Sequence, residues 1–530
     1  MHPPTTAMND YESLTLWQAV RRWPRAAGIS VCMALNVLLW GYDQAIVGNV
    51  ASMPVFQEVF GEKYEDRYII PSIWLSLWSV AFPIGSMIGA AAGGWVQDLT
   101  GRKWTLGIGS VISVAAIFTC YISDRAAQKQ GAIFGGKLLE GVAVGLIICS
   151  TQTYLSEVVP ARLRGPIFAL FPAFQLLGQL VAAVVVLLVL PTPGAKSYRI
   201  AVATEWPFSV IPLLLAALVP ESPVWLLQKD KTQAARDCFR RFHGAKVATD
   251  SQDLFDDMHR AVNEERWAAQ DRQATYIECF RGVNLKRSMI VVFANTIPEL
   301  FGLTLIGHAS YFLQILGLSH TISFIILVLG VVLGLFANIG SWWTLLKFGR
   351  RLLILITLSI VGVLWLSIGI AGCFTSKNVA YYCAAGMKAI ITQGVGWLLV
   401  GVLNCGFGFG VPYLYNSDAG NLGGKVGFVF LGFAALGVLI TWFTVPELKG
   451  LSAVEIDRVF EKHVPVRRAN TAQWESLPNE STEDEMPLRQ LSTAGSDGSA
   501  YDAGSVASGV GVVHVVPKEA YEPLRRAWKV

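Results

Sequence analysis

Lys229-Asp230-Lys231-Thr232-Gln233-Ala234-Ala235-Arg236-Asp237-Cys238-Phe239-Arg240-Arg241 is the charged heart of the chain's middle. Asp256, Asp257, Glu264, Glu265 and Arg266 extend it within the stretch 221–287, and nothing like it occurs from Gly28 to Pro220 or from Met289 to Pro446. The pattern divides the chain into two apolar halves, 28–220 and 288–446, joined by a soluble linker at 221–287. A polar segment, 1–27, precedes them and a tail, 447–530, follows.

The composition agrees. A chain of 530 residues that is 53% hydrophobic and only 15% charged is too apolar for a water-soluble globule. Its apolar runs are about 20 residues long, the length of a helix crossing roughly 30 Å of hydrocarbon, whereas barrel strands would alternate over about ten. An all-α membrane protein is therefore predicted, a lipid bilayer is its surroundings, and nothing marks a nucleic-acid partner. Eight cysteines are scattered without metal-ligand spacing and read as small packing residues. No nucleophile with a base, metal cluster or phosphate loop marks an enzyme.

Spans are expected near 28–50, 72–96, 104–123, 131–155, 166–190 and 200–219 in the first half. The second half offers 288–315, 321–346, 351–373, 388–413 and 425–446, giving about 11 in all. Arg21, Arg22 and Arg25, the turn Gly101-Arg102-Lys103, the segment Arg162-Leu163-Arg164, the linker and the turn Gly349-Arg350-Arg351 then share one side, which the positive-inside rule makes cytoplasmic. Residues 464–530, rich in Ser, Gly and acidic groups, read as a disordered tail on that side. Asn479-Glu480-Ser481 fits a glycosylation sequon but faces the cytoplasm on this topology.

Five motifs in order carry a family resemblance: Gly41-Tyr42-Asp43; Gly94-Trp95-Val96-Gln97-Asp98-Leu99-Thr100-Gly101-Arg102-Lys103; Tyr154-Leu155-Ser156-Glu157 through Arg164-Gly165; Pro220-Glu221-Ser222-Pro223; and Pro446-Glu447-Leu448-Lys449-Gly450. The chain resembles the sugar porters of the major facilitator superfamily over about 28–465, and within them the fungal α-glucoside (maltose-type) permeases. That subgroup is suggested by Ser197-Tyr198-Arg199-Ile200 with Glu205-Trp206, by Glu278-Cys279-Phe280-Arg281-Gly282 and by Ser341-Trp342. The resemblance implies two helical bundles, a small-molecule sugar as substrate, no organic cofactor, and a proton as coupling ion at the plasma membrane. The span count is one short of the family's usual twelve. The run from Trp397 through Gly406-Phe407-Gly408-Phe409-Gly410 to Val411-Pro412-Tyr413 lacks the second-half loop with Glu and Arg, as though parts of two spans were fused.

A cytoplasmic gate of Asp98, Arg102, Glu157, Arg164, Glu221 and Arg350 is what the resemblance implies; residue by residue, these are also charges at helix ends that water and headgroups could solvate. Asp43 stands about 15 residues into its span, roughly 22 Å deep, where an ionised carboxylate needs a partner or water. The resemblance makes it the proton carrier, paired with an arginine of the fourth span whose place is taken by Lys137. Lysine lacks the arginine fork and can lose its proton. Glu140, three residues on, could compete for Lys137.

Sugar binding calls for amides, hydroxyls and aromatic faces near mid-membrane. Here the resemblance implies Gln175, one turn beyond Pro172 at the usual glutamine position, with Glu299 and Thr304 in the seventh span. Tyr311, Phe312 and Trp397 are candidate aromatic liners, beside the common reading of membrane aromatics as packing or interface residues. Glu299 stands where an amide is usual, and Val224 where the Pro-Glu-Ser-Pro signature is usually followed by arginine. A proton-coupled sugar permease is thus the leading expectation; a non-transporting sensor or inactive relic, and an uncoupled uniporter, stay open beside it.

Overall fold

The computed structural model describes residues 15–64, 67–243, 308–316, 318–347, 350–371, 411–416 and 425–445, with isolated positions between 255 and 305 and at 373 and 422. Six helices before the linker are long and apolar enough to cross a membrane: Pro24–Ala51, Ser72–Thr100, Arg102–Tyr121, Lys129–Val158, Leu163–Val189 and Lys196–Leu218. They fall within a few residues of the expected runs. Outside two breaks, each closes its backbone hydrogen bonds internally, which is what hydrocarbon demands. In the second half, His320–Lys347, Arg350–Ala371 and Val426–Thr444 match three of the five expected spans. The runs 288–315 and 388–413 lie largely outside the described residues, as do the expected fusion and the tail.

Two of the spans are interrupted, and both breaks serve the interior. The first divides at Leu35-Asn36, where Asn36 Nδ2 donates to Thr151 Oγ1 of the fourth span at 3.0 Å. The sixth divides into Lys196–Ala203 and Trp206–Leu218. Pro207 has no N–H to return to the carbonyl four residues back, so the helix cannot run through. Glu205 N donates instead to Val202 O at 3.2 Å, and the Ala201 carbonyl is taken by Tyr42 Oη of the first span at 2.7 Å.

The second and fourth spans touch backbone to backbone. Gly85 faces the Leu138 carbonyl and Gly141 faces that of Phe82, and a Cβ on either would collide with the opposing main chain. Small residues permit this approach in the absence of a hydrophobic drive between helices. The contact fixes the part of the fourth span that carries Lys137 and Glu140. An aromatic-rich core joins the two halves, from Tyr42, Ile46 and Val50 through Phe312 and Phe324 to Trp365 and Phe430.

Between the first two spans lie a short helix, Pro54–Phe60, and an antiparallel ribbon of Glu62–Tyr64 and Arg67–Ile69, pairing Lys63 with Tyr68. This hairpin is a small β addition to a fold expected to be wholly helical. The linker is folded near its start: Pro223–Gln228 and Thr232–His243 bury Leu227, Ala235 and Phe239 against Phe255, Met258 and Val262. Its charges turn outward, with Arg266 reaching Asp230 at 2.8 Å.

Candidate functional site

The interior of the first half holds four ionisable side chains in one place. Asp43 (1% exposed) comes from the first span, Lys137 (4%) and Glu140 (1%) from the fourth, and Glu205 (0%) from the break in the sixth. Lys137 Nζ donates to Asp43 Oδ1 and lies 3.6 Å from Glu205 Oε2. Carboxyl oxygens of Asp43, Glu140 and Glu205 lie within 4.8 Å of one another. Glu140 is reached from the third span, where Ser113 Oγ donates to its Oε1 at 2.7 Å and lies 2.6 Å from Ser209 Oγ of the sixth.

Both oxygens of Glu205, Asp43 Oδ2 and Glu140 Oε2 accept no hydrogen bond among the described residues. Three carboxyls therefore face one ammonium, in a place buried from bulk solvent. With every group ionised, two negative charges would remain uncompensated, a state hydrocarbon surroundings strongly oppose. Proton binding is the direct way out. A cavity of about 30 Å³, lined by Ile46, Trp78, Cys120, Ser123, Tyr198 and Lys137, reaches the cluster from the far side. That is space for a water molecule.

The sequence pairs Asp43 with Lys137, and the structure brings them together. Glu140, the competitor expected for Lys137, bonds to Ser113, while the second carboxyl beside the ammonium is Glu205. In the sequence Glu205 stands only as part of the entry to the sixth span. The signal in the sequence was Glu205-Trp206-Pro207, an acid just ahead of a helix-breaking proline inside an apolar run.

Of the expected sugar ligands, Gln175 is buried and donates through Nε2 to Gln44 Oε1 at 2.7 Å, which also accepts from Gln179 Nε2 at 3.1 Å. Gln44, next to Asp43 in sequence, completes an amide group that sequence reasoning had not assembled. Tyr311 is buried, edge-on to Tyr415 with ring centres 6.3 Å apart, and its Oη donates to Asn416 Oδ1 at 3.5 Å. Glu299, Thr304 and Trp397 lie outside the described residues, as does the side chain of Arg350.

The expected gate residues gather at the end carrying the basic turns. Buried Arg102 donates through Nη2 to Glu157 Oε1 at 2.8 Å and through Nη1 to Asp98 Oδ1 at 3.2 Å. Asp98 is 68% exposed, so water screens that second pair and Glu157 is the stronger partner. Glu221 Oε1 accepts from the backbone N–H of Arg102 at 3.1 Å, Lys103 at 3.3 Å and Ser222 at 3.0 Å. It thus caps the third span's first turn, where free donors and the helix dipole favour an anion. Gly101, at φ +96°, makes the turn, and a side chain there would run into the Glu221 carboxylate. Arg164 Nε donates to the Val159 carbonyl at 3.2 Å.

At the opposite end the two halves are tied together. Ser52 Oγ lies 2.8 Å from Ser310 Oγ, Ser79 Oγ is 2.8 Å from His308 Nε2, and Asn416 Nδ2 donates to Ile70 O at 3.0 Å and Ser72 Oγ at 3.1 Å.

Known proteins share this plan. The fold matches the E. coli xylose transporter XylE in a partially occluded inward-open conformation, with a TM-score of 0.63 at 20% identity, covering 81% of this chain and all of that one. The chain is 30% identical to the MFS transporter fmqE of Aspergillus fumigatus, over 88% of its length and 93% of that protein. It is 26% identical to the general alpha-glucoside permease of Saccharomyces cerevisiae, over 91% of its length and 85% of that protein. The family profile described as "Sugar (and other) transporter" matches residues 29–396 and 391–460. Nearly the whole apolar chain answers to that profile, so this multi-pass membrane protein belongs to the sugar transporter family of the major facilitator superfamily.

Proposed function

We propose that the chain carries a small sugar, a hexose or an α-glucoside, across the plasma membrane by alternating access, with protons as the coupling ions. The observation that carries the reading is the Lys137 ammonium set between Asp43 and Glu205 inside the first half. A buried group of three acids and one base changes its charge by taking up protons, and a conformational change that hydrates it on one side or the other lets those protons cross. Gln44, Gln175 and Gln179, beside Asp43, offer the amides that sugar hydroxyls need. The α-glucoside permease relatives and the fold neighbour described as a proton:xylose symporter support the same reading.

With the basic turns in the cytoplasm, Arg102 and Glu157 form a latch on that side, and the Ser52–Ser310 and Asn416–Ser72 contacts close the outer side. Uncoupled uniport is the second reading, favoured by the direct Lys137–Asp43 hydrogen bond: a pair that stays locked through the cycle moves no proton.

The test is uptake of labelled maltose and glucose by a transport-deficient host expressing the chain, with and without an uncoupler, beside Asp43→Asn. Symport requires that the uncoupler abolish accumulation and that the substitution lower it. Uptake indifferent to both means uniport, and none at all from protein shown to reach the surface means a sensor or relic.

A further inference from the structure

We propose that Glu140 is a second proton-carrying carboxyl, so that each transported sugar is accompanied by two protons. The proposal rests on the proton-coupled reading above and deepens it. Its first ground is charge. Lys137 balances one of the two carboxyls it touches, Asp43 and Glu205, which leaves the other of these and Glu140 as two carboxyls without a counter-charge. The site is neutral only when both hold a proton.

Its second ground is the set of groups facing Glu140. From the first span this is Asp43, from the third Ser113 and Cys120, from its own helix Lys137, and from the sixth Glu205. Lys137 is the single basic group among them, and it is already engaged by Asp43 and Glu205. The only hydrogen bond to Glu140 among the described residues comes from a neutral hydroxyl, Ser113, which suits either protonation state: its O–H donates to a carboxylate, or turns to Ser209 Oγ when the acid is protonated. Glu140 Oε2, buried and unpartnered, is the open position for a proton.

The third ground is a route. The cavity that reaches Lys137 runs to Ser123 in the turn between the third and fourth spans, and among its walls the Phe56 ring centre lies 5.8 Å from that of Trp78 and 5.5 Å from that of Tyr198. A water there hands a proton inward when these rings part. The balance is simple. One proton enters from outer water onto Glu140 and one onto whichever of Asp43 and Glu205 the ammonium does not hold, both leave to cytoplasmic water, the lysine stays an ammonium, and the sugar is unchanged.

The experiment measures proton-to-sugar stoichiometry from the reversal potential of purified protein in proteoliposomes, with glucose and maltose run in parallel. Wild type should move about two protons per sugar and Glu140→Gln about one, with a cooperative thermal unfolding transition in detergent as proof that the variant folds. Glu140→Thr, which keeps a hydroxyl facing Ser113, replaces it if the glutamine variant does not fold. A wild-type ratio of one, or an unchanged ratio in a variant active in counterflow, overturns the proposal. Sugar flux with no proton movement in wild type is a different result: it removes the coupled reading itself, and this inference with it.

Discussion

Lys137 Nζ is hydrogen-bonded to Asp43 and stands 3.6 Å from Glu205 Oε2. The ammonium is therefore shared between carboxyls on two helices, one unbroken at this level and one interrupted by Pro207. A cation held this way has two resting places a short movement apart. Its transfer from one carboxyl to the other frees the first for a proton, which gives the site a physical means of coupling charge to helix movement.

Removing the cation should be the most damaging single change. Lys137→Met leaves three buried carboxyls without a counter-charge, and loss of one partner from a buried pair costs about 3–5 kcal/mol. Thermal unfolding in detergent should show a large drop, and Lys137→Met combined with Asp43→Asn should recover part of it, because the two changes act on one interaction.

Glu205→Gln keeps the shape of the helix break and the Lys137–Asp43 bond. Downhill sugar entry should persist while accumulation against a gradient falls at least tenfold, equivalent to about 1.4 kcal/mol of lost coupling. Time courses of uptake in energised and de-energised cells separate the two quantities.

Glu221 should matter for the fold more than for transport. It satisfies three backbone donors at one turn, and stranding buried donors costs about 1–3 kcal/mol. Glu221→Ala is expected to lower thermal stability, with Glu221→Gln milder because its carbonyl still accepts. Gly101→Ala should be as harmful, since it combines positive φ with a collision at the same carboxylate.

The latch at Arg102 and Glu157 is expected to bias conformation. Glu157→Gln removes the charge that holds Arg102, so a cysteine placed near Arg164 should react faster with a membrane-impermeant thiol reagent added from the cytoplasmic side in inverted vesicles. An unchanged rate would make this pair a static brace.

Much of this was legible in the sequence, because the bilayer imposes simple demands. A run long enough to span and a basic turn at one end fixed the six helices of the first half within a few residues. Asp43 and Lys137 stood out as charges where charges are expensive. Glu205 did not, although it is buried as deeply, because its run also carries Arg199 and Lys196 and reads as the polar entry to a helix. Only the fold shows that Arg199 turns outward to Asp124 while Glu205, one and a half turns on, points inward. The Gln44–Gln175–Gln179 group was hidden for another reason: its members are 131 and 135 residues apart, and no local pattern links them. The Glu221 cap likewise joins residues 119 apart.

The most direct measurement of proton coupling is the pH inside proteoliposomes loaded with a pH-sensitive dye, recorded as glucose or maltose is added outside, for wild type and Asp43→Asn. In wild type the lumen should acidify as sugar enters, faster at lower external pH because protonation precedes the carrier's turn. In Asp43→Asn the ammonium settles on Glu205, and acidification per sugar should fall by about half while labelled-sugar counterflow continues. Sugar entry through the wild-type protein with a lumen pH that does not move would contradict proton coupling.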